Sequence, residues 1–125
     1  MIRGLGMDLC EISRMERLLT DERFLKRYFT ENEIGYIREK GKSAAQTMAG
    51  IFAAKEAFSK ALGTGITFEL KDISIHHDDA GKPAYFLSGK AEELGRGSRF
   101  WLSISHDGGI AAAVCIQEDS NLTEG

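Results

Sequence analysis

The sequence is poor in the residues that mark several classes of protein. It contains one proline and two cysteines, and Cys10 and Cys115 are too far apart to form a Cys-x-x-Cys motif. Each cysteine lies in a strand-like segment where a small apolar side chain would suffice, so we expect two buried free thiols. Long hydrophobic runs are lacking near the N-terminus, where Arg3, Asp8 and Glu11 interrupt the apolar residues. We therefore expect neither a signal peptide nor a membrane helix there, and the sequence predicts a cytoplasmic protein.

Positive charge is not in excess either. The formal net charge is −3 and the isoelectric point is about 5.6, so the chain has no basic field to hold a polyanion, and we expect neither nucleic acid nor a membrane as a partner. The 125 residues, 42% of them hydrophobic, are enough for one core and too few for a second domain of ordinary size. We predict a single domain over residues 1–117 and a polar, frayed tail over residues 118–125.

The spacing of apolar residues predicts both helices and strands. Residues 43–62 are the strongest segment, with apolar side chains on almost all faces, and they predict a buried central helix. Thr30 and Glu33 match a capping box that opens a shorter helix, Asp21 can cap another, and Ser43 can cap the central helix. Further helical segments are expected within 12–28 and at 88–94, and strands at 2–9, 66–68, 73–75, 83–87, 100–106 and 110–117. Connections between strands are mostly short, so the sequence predicts an α+β fold with a mostly antiparallel sheet packed on the long central helix.

Polar residues form a stripe on the predicted central helix. Glu56, Ser59, Lys60 and Gly63 are three or four residues apart and therefore share one face. Burying either charge alone costs several kcal/mol, so both groups must find partners. An ion pair along the helix from Glu56 to Lys60 is the simplest explanation, and a functional site is the alternative.

A glycine-rich turn follows the helix at Gly63, Thr64 and Gly65. Free N–H groups in such a turn can bind an anion, although the same residues can also simply end the helix. Because the helix dipole repels phosphate at this end, anion binding here would require Lys60 and a metal cation.

Asp8 lies on the glycine face of the first predicted strand. Gly4 and Gly6 have no side chains, which would allow a close approach by another backbone or a ligand. Asp8 and Glu56 could then share Mg²⁺, which is commonly held by one or two carboxylates, water and substrate phosphate. A capping or turn role for Asp8 is the alternative.

His106 ends a predicted strand just before the hairpin turn Asp107-Gly108-Gly109. It could bind phosphate or transfer a proton, or it could simply face solvent. We interpret His76 and His77 as surface residues, because neighbouring residues on a strand point to opposite faces and the spacing matches no zinc pattern.

These segments together resemble the bacterial holo-acyl-carrier-protein synthase family of short phosphopantetheinyl transferases. The resemblance is carried by residues 4–9 (GLGMDL), 29–33 (FTENE), 52–65 (FAAKEAFSKALGTG), 79–83 (DAGKP) and 103–106 (SISH). It implies the phosphopantetheinyl-transferase fold, a homotrimer, and binding of coenzyme A and Mg²⁺ in clefts between subunits.

The resemblance also implies roles for individual residues. Asp8 and Glu56 would bind Mg²⁺, and Lys60 would contact phosphate and the charge that develops during reaction. The remaining coenzyme A contacts would be Lys55, Gly63, Thr64, Gly65, Pro83 and His106. Ile51 stands where the family usually has arginine, so one charged contact to the nucleotide is missing unless Lys55 replaces it.

The implied reaction is attack by a serine hydroxyl of apo acyl carrier protein on the β-phosphorus of coenzyme A. It would give holo acyl carrier protein, as fatty acid biosynthesis requires, and release adenosine 3',5'-bisphosphate. Glu56 and Lys60 are the expected catalytic residues, and either Glu56 or a water molecule beside the cation is the base. A non-catalytic adaptor that binds acyl carrier protein, or a structural protein with a charged interface, are the alternatives.

Basic residues are concentrated in the first helical region. Arg14 and Arg17 lie three residues apart on one helix face, and the resemblance implies that they bind the acidic helix of acyl carrier protein. An exposed face neutralised by nearby acidic residues is the alternative.

Overall fold

A computed structural model describes residues 1–65 and 67–120 of the chain. The helices are α1 (Ile12–Leu18), α2 (Glu22–Tyr28), α3 (Glu31–Arg38), α4 (Ala44–Leu62) and α5 (Gly89–Leu94). The strands are β1 (Ile2–Glu11), β2 (Ile73–His77), β3 (Pro83–Leu87), β4 (Ser98–Asp107) and β5 (Ile110–Asp119). Within these residues, β1, β5 and β4 form one sheet in that order, and β2 and β3 form a second.

Both sheets are antiparallel, as the sequence predicts. The turn between β4 and β5 is the expected glycine hairpin, with φ values of 58° at Gly108 and 83° at Gly109. Positive φ at both central positions matches the right-handed twist of the paired strands, which explains why glycine occupies them. The first sheet packs on α4, and this confirms the predicted α+β architecture.

Side chains close the N-termini of α2 and α3 as predicted, whereas Ser43, the cap expected for α4, makes no side-chain cap hydrogen bond. The Asp21 carboxylate accepts a hydrogen bond from the Phe24 N–H at 3.0 Å. In α3 the Thr30 hydroxyl accepts from the Glu33 N–H, while the Glu33 carboxylate accepts from the Thr30 N–H at 2.8 Å. The capping box is therefore present in full, and it fixes where α3 begins.

Helix α4 lies at the centre of the fold. Ala53, Ala57 and Phe58 are fully buried, and most other residues of α4 are also buried. The helix ends at Gly63, whose φ of 72° is left-handed and strain-free only for glycine. The predicted span of 43–62 is confirmed to within one residue, because apolar faces on all sides require burial on all sides.

Two predicted boundaries differ from the structure. The strand expected at 66–68 is not formed, since residues 67–69 are irregular and a 3₁₀ turn follows at Leu70–Asp72; Ile66 lies outside the described residues. The last strand continues to Asp119, two residues into the segment expected to be frayed, because the Asp119 N–H donates to the Met1 carbonyl at 3.0 Å. Residues 121–125 lie outside the described part of the chain.

The buried apolar residues form one cluster that runs from β1 to β5. Cys10 and Cys115 belong to it, with 4% and 0% of their surface exposed, and both are free thiols as predicted. Among the described residues, no helix is both long and apolar enough to cross a bilayer.

Candidate active site

The first strand lies unusually close to the central helix. A Cβ atom at Gly4 would stand 2.0 Å from the Ala61 carbonyl oxygen, and one at Gly6 would stand 2.0 Å from the Ala57 carbonyl oxygen. Only glycine permits this separation. Residues on one face of a strand alternate, so the next side chain directed at α4 is that of Asp8.

Asp8 and Lys60 form an ion pair between β1 and α4. The Lys60 Nζ atom lies 3.0 Å from Asp8 Oδ1, and the side chains are 55% and 18% exposed, respectively. Within the described residues, the ion pair of Lys60 therefore joins α4 to β1, and Lys60 forms no ion pair with Glu56 along the helix. Since Lys60 is more than half exposed, the pair adds little to stability, and Lys60 remains available to a ligand.

Glu56 is half-buried beside this pair. Burial raises the pKa of the Glu56 carboxyl above its ordinary value, and the nearby negative charge of Asp8 raises it further. Lys60 and Arg14 act in the opposite direction but do not cancel the effect. A cation bound beside Glu56 would offset the cost of burying its charged form.

The donor set of this corner fits Mg²⁺. Asp8 and Glu56 supply hard carboxylate oxygens, and in residues 1–65 and 67–120 no group of three or more His, Cys, Asp or Glu side chains offers a more complete cage. Mg²⁺ retains several waters and takes further oxygens from substrate phosphate, so two carboxylates suffice. The two residues that the sequence proposed as ligands are thus brought together by the contact between β1 and α4.

Glu56 also lines a cleft of about 630 Å³ that combines four aromatic rings with charged side chains. We call this the aromatic cleft, and it is lined by Arg14, Phe24, Arg27, Tyr28, Phe52, Glu56, Phe68, Glu69 and Leu70. The Arg14 guanidinium lies over the Phe52 ring, 5.3 Å from its centroid. Sequence reasoning missed the aromatic lining because Phe24 and Tyr28 recur at helical spacing, which is equally typical of core residues.

Of the two arginines proposed to bind a partner, only Arg14 lines the aromatic cleft. Arg17 is exposed on the same helix outside it. Arg27, another basic residue of the first helical region, lies in the cleft as well.

His106 and Pro83 lie at the other end of α4. They line a cavity of about 180 Å³ together with Gln46 and Ile51, and His106 Nε2 lies 3.0 Å from Gln46 Nε2. We call this the histidine cavity. Because α4 has 19 residues, its two ends are roughly 28 Å apart. The proposed coenzyme A contacts therefore form two separate groups within one chain: Pro83 and His106 at one end, and Gly63, Thr64 and Gly65 at the other.

Lys55 is not placed to contact a ligand, and its proposed role requires correction. Its side chain is 0% exposed and its Nζ atom lies 2.7 Å from Glu33 Oε1. Burial lowers the pKa of Lys55, and the adjacent Glu33 carboxylate raises it again. Lys55 therefore cannot supply the charge that is missing at Ile51, which is itself 1% exposed.

The interpretation of His76 and His77 as surface residues also changes. Both are half-buried, because each ring stacks on an aromatic neighbour: His76 on Phe86 and His77 on Tyr36, with centroids 4.2 Å apart in each case. The two histidines point to opposite sides, as expected for neighbouring strand residues.

Comparison with known proteins defines the class. Residues 4–115 match the family model described as the 4'-phosphopantetheinyl transferase superfamily. The chain belongs to this superfamily, which confirms the resemblance found in the sequence motifs. Among curated proteins it is similar to the holo-[acyl-carrier-protein] synthase of Treponema denticola, with 46% identity over 94% of this chain and 99% of that protein.

Solved structures support the same fold. A holo-(acyl-carrier-protein) synthase from Bacillus anthracis, in complex with CoA (3',5'-ADP), is 40% identical with a TM-score of 0.81, covering 96% of this chain and 99% of that chain. The Helicobacter pylori holo-[acyl-carrier-protein] synthase in complex with coenzyme A is 33% identical with a TM-score of 0.79, covering 91% and 99%.

Proposed function

We propose that this protein transfers the 4'-phosphopantetheine group of coenzyme A to a serine hydroxyl of apo acyl carrier protein. The observation that carries the proposal is the meeting of Asp8, Glu56 and Lys60 where β1 touches α4. Two carboxylates and an ammonium are what a reaction at a pyrophosphate requires: a place for a cation, and a positive group beside the phosphate. The names of the similar proteins, and the coenzyme A in two of their structures, support the same reaction.

In this reaction the serine oxygen forms a bond to the β-phosphorus of coenzyme A. The bond from that phosphorus to the bridging oxygen breaks, and adenosine 3',5'-bisphosphate leaves with the electron pair. Mg²⁺ held by Asp8 and Glu56 would neutralise charge on the pyrophosphate. Lys60, which is 55% exposed, can turn from Asp8 toward the phosphate, where such a contact is worth roughly 3 kcal/mol.

The serine proton must leave as the bond forms. Glu56 lies beside the site and its carboxyl has a raised pKa, which favours proton uptake. A cation on the same carboxylate would oppose this effect, so a water molecule beside the cation is the other candidate acceptor.

The direct test is to incubate the protein with apo acyl carrier protein, coenzyme A and MgCl₂ and to measure the intact mass of the carrier. We expect an increase equal to one phosphopantetheine group, which EDTA abolishes and Lys60→Met strongly slows. Lys90→Met on the exposed face of α5 is the matched control. A carrier that binds but gains no mass would show a non-catalytic adaptor instead.

We also propose that the active form is a homotrimer. The face of the first sheet that points away from α4 is apolar and exposed, with Leu5 at 66%, Met7 at 53% and Leu9 at 60%. Across the sheet Leu5 pairs with Ile116, and Ile116 in turn pairs with Trp101, so the apolar face continues over all three strands. A continuous exposed apolar patch of this kind on a chain of 125 residues is typical of a protein–protein interface.

Assembly would also bring the two separated groups of coenzyme A contacts together in one site. One copy can contribute Gly63, Thr64 and Gly65, and its neighbour Pro83 and His106, to one bound coenzyme A. Met7→Asp should then yield a monomer with little transferase activity, as measured by sedimentation and by carrier mass. Asn32→Asp adds the same charge at an exposed position of α3 and should leave the assembly intact. A monomer with full activity would contradict the proposal.

The expected location and pathway remain predictions. Two free, buried cysteine thiols agree with a reducing compartment such as the cytoplasm. Holo acyl carrier protein as the product would place the reaction ahead of fatty acid biosynthesis. Fractionation of cells and depletion of the protein, followed by assay of the carrier's modification, would check both.

A further inference from the structure

We propose that Lys55 is a positioning residue: its buried ammonium group holds residues 68–70, which form one wall of the aromatic cleft beside Glu56. The inference rests on the proposed transferase function and adds a residue that contacts neither substrate. Its basis is a hydrogen-bond network that joins four segments of the chain in the protein interior.

The Lys55 ammonium uses all of its hydrogens within the protein. Its Nζ atom lies 2.7 Å from Glu33 Oε1 and donates to the carbonyl oxygens of Leu70 at 3.1 Å and Ile73 at 2.7 Å. The Phe29 ring covers the group, with its centroid 5.3 Å from Nζ. Each donor therefore ties α4 to a separate element: α3, the 3₁₀ turn and the start of β2.

Both oxygens of the Glu33 carboxylate also accept hydrogen bonds within the protein. Its Oε1 atom also accepts from the Thr30 N–H at 2.8 Å, and its Oε2 atom accepts from the Ile75 N–H at 2.7 Å. Lys55 and Glu33 are both 0% exposed. A fully satisfied network of this kind fixes the relative positions of its members, because every broken contact leaves a buried group unpaired.

Residues 68–70, which Lys55 holds, follow a stretch of chain that has few conformational limits. After α4 the chain passes through Gly63 and Gly65, both at positive φ, which impose few conformational limits. The next fixed points are Phe68, whose ring packs edge-on against Phe58 at 5.9 Å, and Leu70, whose carbonyl Lys55 holds. Phe68 and Leu70 line the aromatic cleft together with Arg14 and Glu56, so Lys55 fixes the position of one part of its lining.

The experiment compares Lys55→Met with Lys71→Met. Both changes remove a lysine ammonium, but Lys71 is exposed on the 3₁₀ turn itself and should behave like the wild type. Kinetics with apo acyl carrier protein, normalised to titrated active sites, should show kcat/KM for the carrier lowered about 10- to 100-fold in Lys55→Met. The KM for coenzyme A should change less than that for the carrier, because residues 68–70 include none of the expected coenzyme A contacts.

Hydrogen exchange supplies a readout that does not depend on catalysis. The Asp72 and Ile73 amides donate to the carbonyls of Glu69 and Leu70, and they should exchange faster in Lys55→Met than in Lys71→Met. A purely structural role would lower the number of active sites and leave normalised kcat/KM and the exchange of these amides unchanged. That outcome would overturn the proposal.

A variant with both charges removed covers the case in which Lys55→Met does not fold. Lys55→Met with Glu33→Gln leaves no unpaired buried charge, so it should fold while keeping the lowered kcat/KM and the faster exchange. Wild-type kinetics in this double variant would contradict a positioning role. If the wild-type protein shows no transfer at all, the proposed function fails, and amide exchange alone then decides whether Lys55 holds the segment.

Discussion

Gly6 in β1 lies against the carbonyl oxygen of Ala57 in α4, at a distance that leaves no room for a Cβ atom. The backbone of the strand therefore touches the backbone of the helix. Two residues further along the strand, this contact brings Asp8 within 3.0 Å of Lys60. The glycine is thus a part of the site, although it has no side chain to offer to a substrate.

Gly6→Ala should destabilise the protein and impair the site. Its methyl group would lie 2.0 Å from the Ala57 oxygen and 2.6 Å from the Ala61 nitrogen, which forces the strand away from the helix. Overpacking of this kind costs about 1–3 kcal/mol or more. Urea unfolding monitored by circular dichroism would measure the free energy, and transfer assays at low temperature would measure the site.

Gly35→Ala is the matched control for that substitution. Gly35 lies inside α3 with no atom within 4 Å of an added Cβ among the described residues, so alanine should stabilise the protein by roughly 0.5–1 kcal/mol. Equal stability of the two variants would contradict the close contact between β1 and α4.

Glu56→Gln should abolish Mg²⁺-dependent transfer while leaving the fold intact. The amide keeps the shape of the side chain but lacks the charge that a cation needs, so we expect a rate lower by about 100-fold or more. A readout without catalysis is thermal unfolding: Mg²⁺ at about 100 times its Kd adds about 2.7 kcal/mol to wild-type stability. This increment should vanish in Glu56→Gln.

Glu92→Gln is the control, because it removes an exposed carboxylate from α5. It should keep both the transfer rate and the stabilisation by Mg²⁺. A Glu56→Gln protein that transfers at the wild-type rate would refute the metal assignment.

Local signals in the sequence were sufficient to predict which faces of β1 and α4 form the site. The alternation of Gly4, Gly6 and Asp8 predicted a strand that could approach another backbone, and the three- and four-residue spacing placed Glu56 and Lys60 on one helix face. These features depend only on local geometry, which sequence spacing encodes directly. The capping box at Thr30 and Glu33 was predictable for the same reason.

The role of Lys55 could not be predicted in this way. Lys55 and Glu56 are neighbours, yet they point about 100° apart around the helix, and no local signal tells which of them faces the core. The partner of Lys55 is Glu33, which lies in another helix. The capping box of α3 already gave the Glu33 carboxylate a role, so the sequence did not suggest a second partner for it. Contacts between residues far apart in the sequence determine which of two such side chains is buried. They also decide the segment 66–68, which has strand-forming residues but is not paired as a strand at its described positions, 67 and 68.

His77 should make stability fall on mild acidification. Burial, Lys40 and His76 lower the pKa of His77, while Asp78 opposes them to a smaller extent. Below its ordinary value of 6.5, the unfolded chain therefore binds a proton that the folded chain resists, and stability is lost as the pH falls. His77→Phe keeps a ring on Tyr36 but cannot titrate, so its unfolding free energy should change less between pH 7.5 and 5.5, values chosen to bracket the titration of histidine at about 6.5.

Chemical unfolding at a series of pH values tests this. The internal control is pH 8, where histidine is uncharged in both states and the difference between the two proteins reflects packing alone. Parallel curves for the wild type and His77→Phe across the acidic range would contradict the prediction.

Arg14 and Arg17 should contribute unequally to binding of acyl carrier protein. Both add positive charge to a chain whose net charge is −3, and both should speed the encounter with an acidic partner. Arg14 in addition lies over the Phe52 ring and lines the aromatic cleft with Glu56, so a carrier whose serine reaches that cleft must pass it. Arg14→Ala should therefore raise the carrier-protein KM more than Arg17→Ala does.

The double variant should raise this KM further and flatten its dependence on salt, because charge interactions are screened beyond about 8 Å at physiological ionic strength. Coenzyme A affinity should stay nearly unchanged, since the expected contacts with that substrate lie elsewhere. Lys90→Ala removes the same charge from the exposed face of α5 and should leave the KM at its wild-type value. If the double variant keeps the wild-type KM at both low and high salt, α1 does not bind the carrier, and the acidic residues around it simply neutralise an exposed helix face.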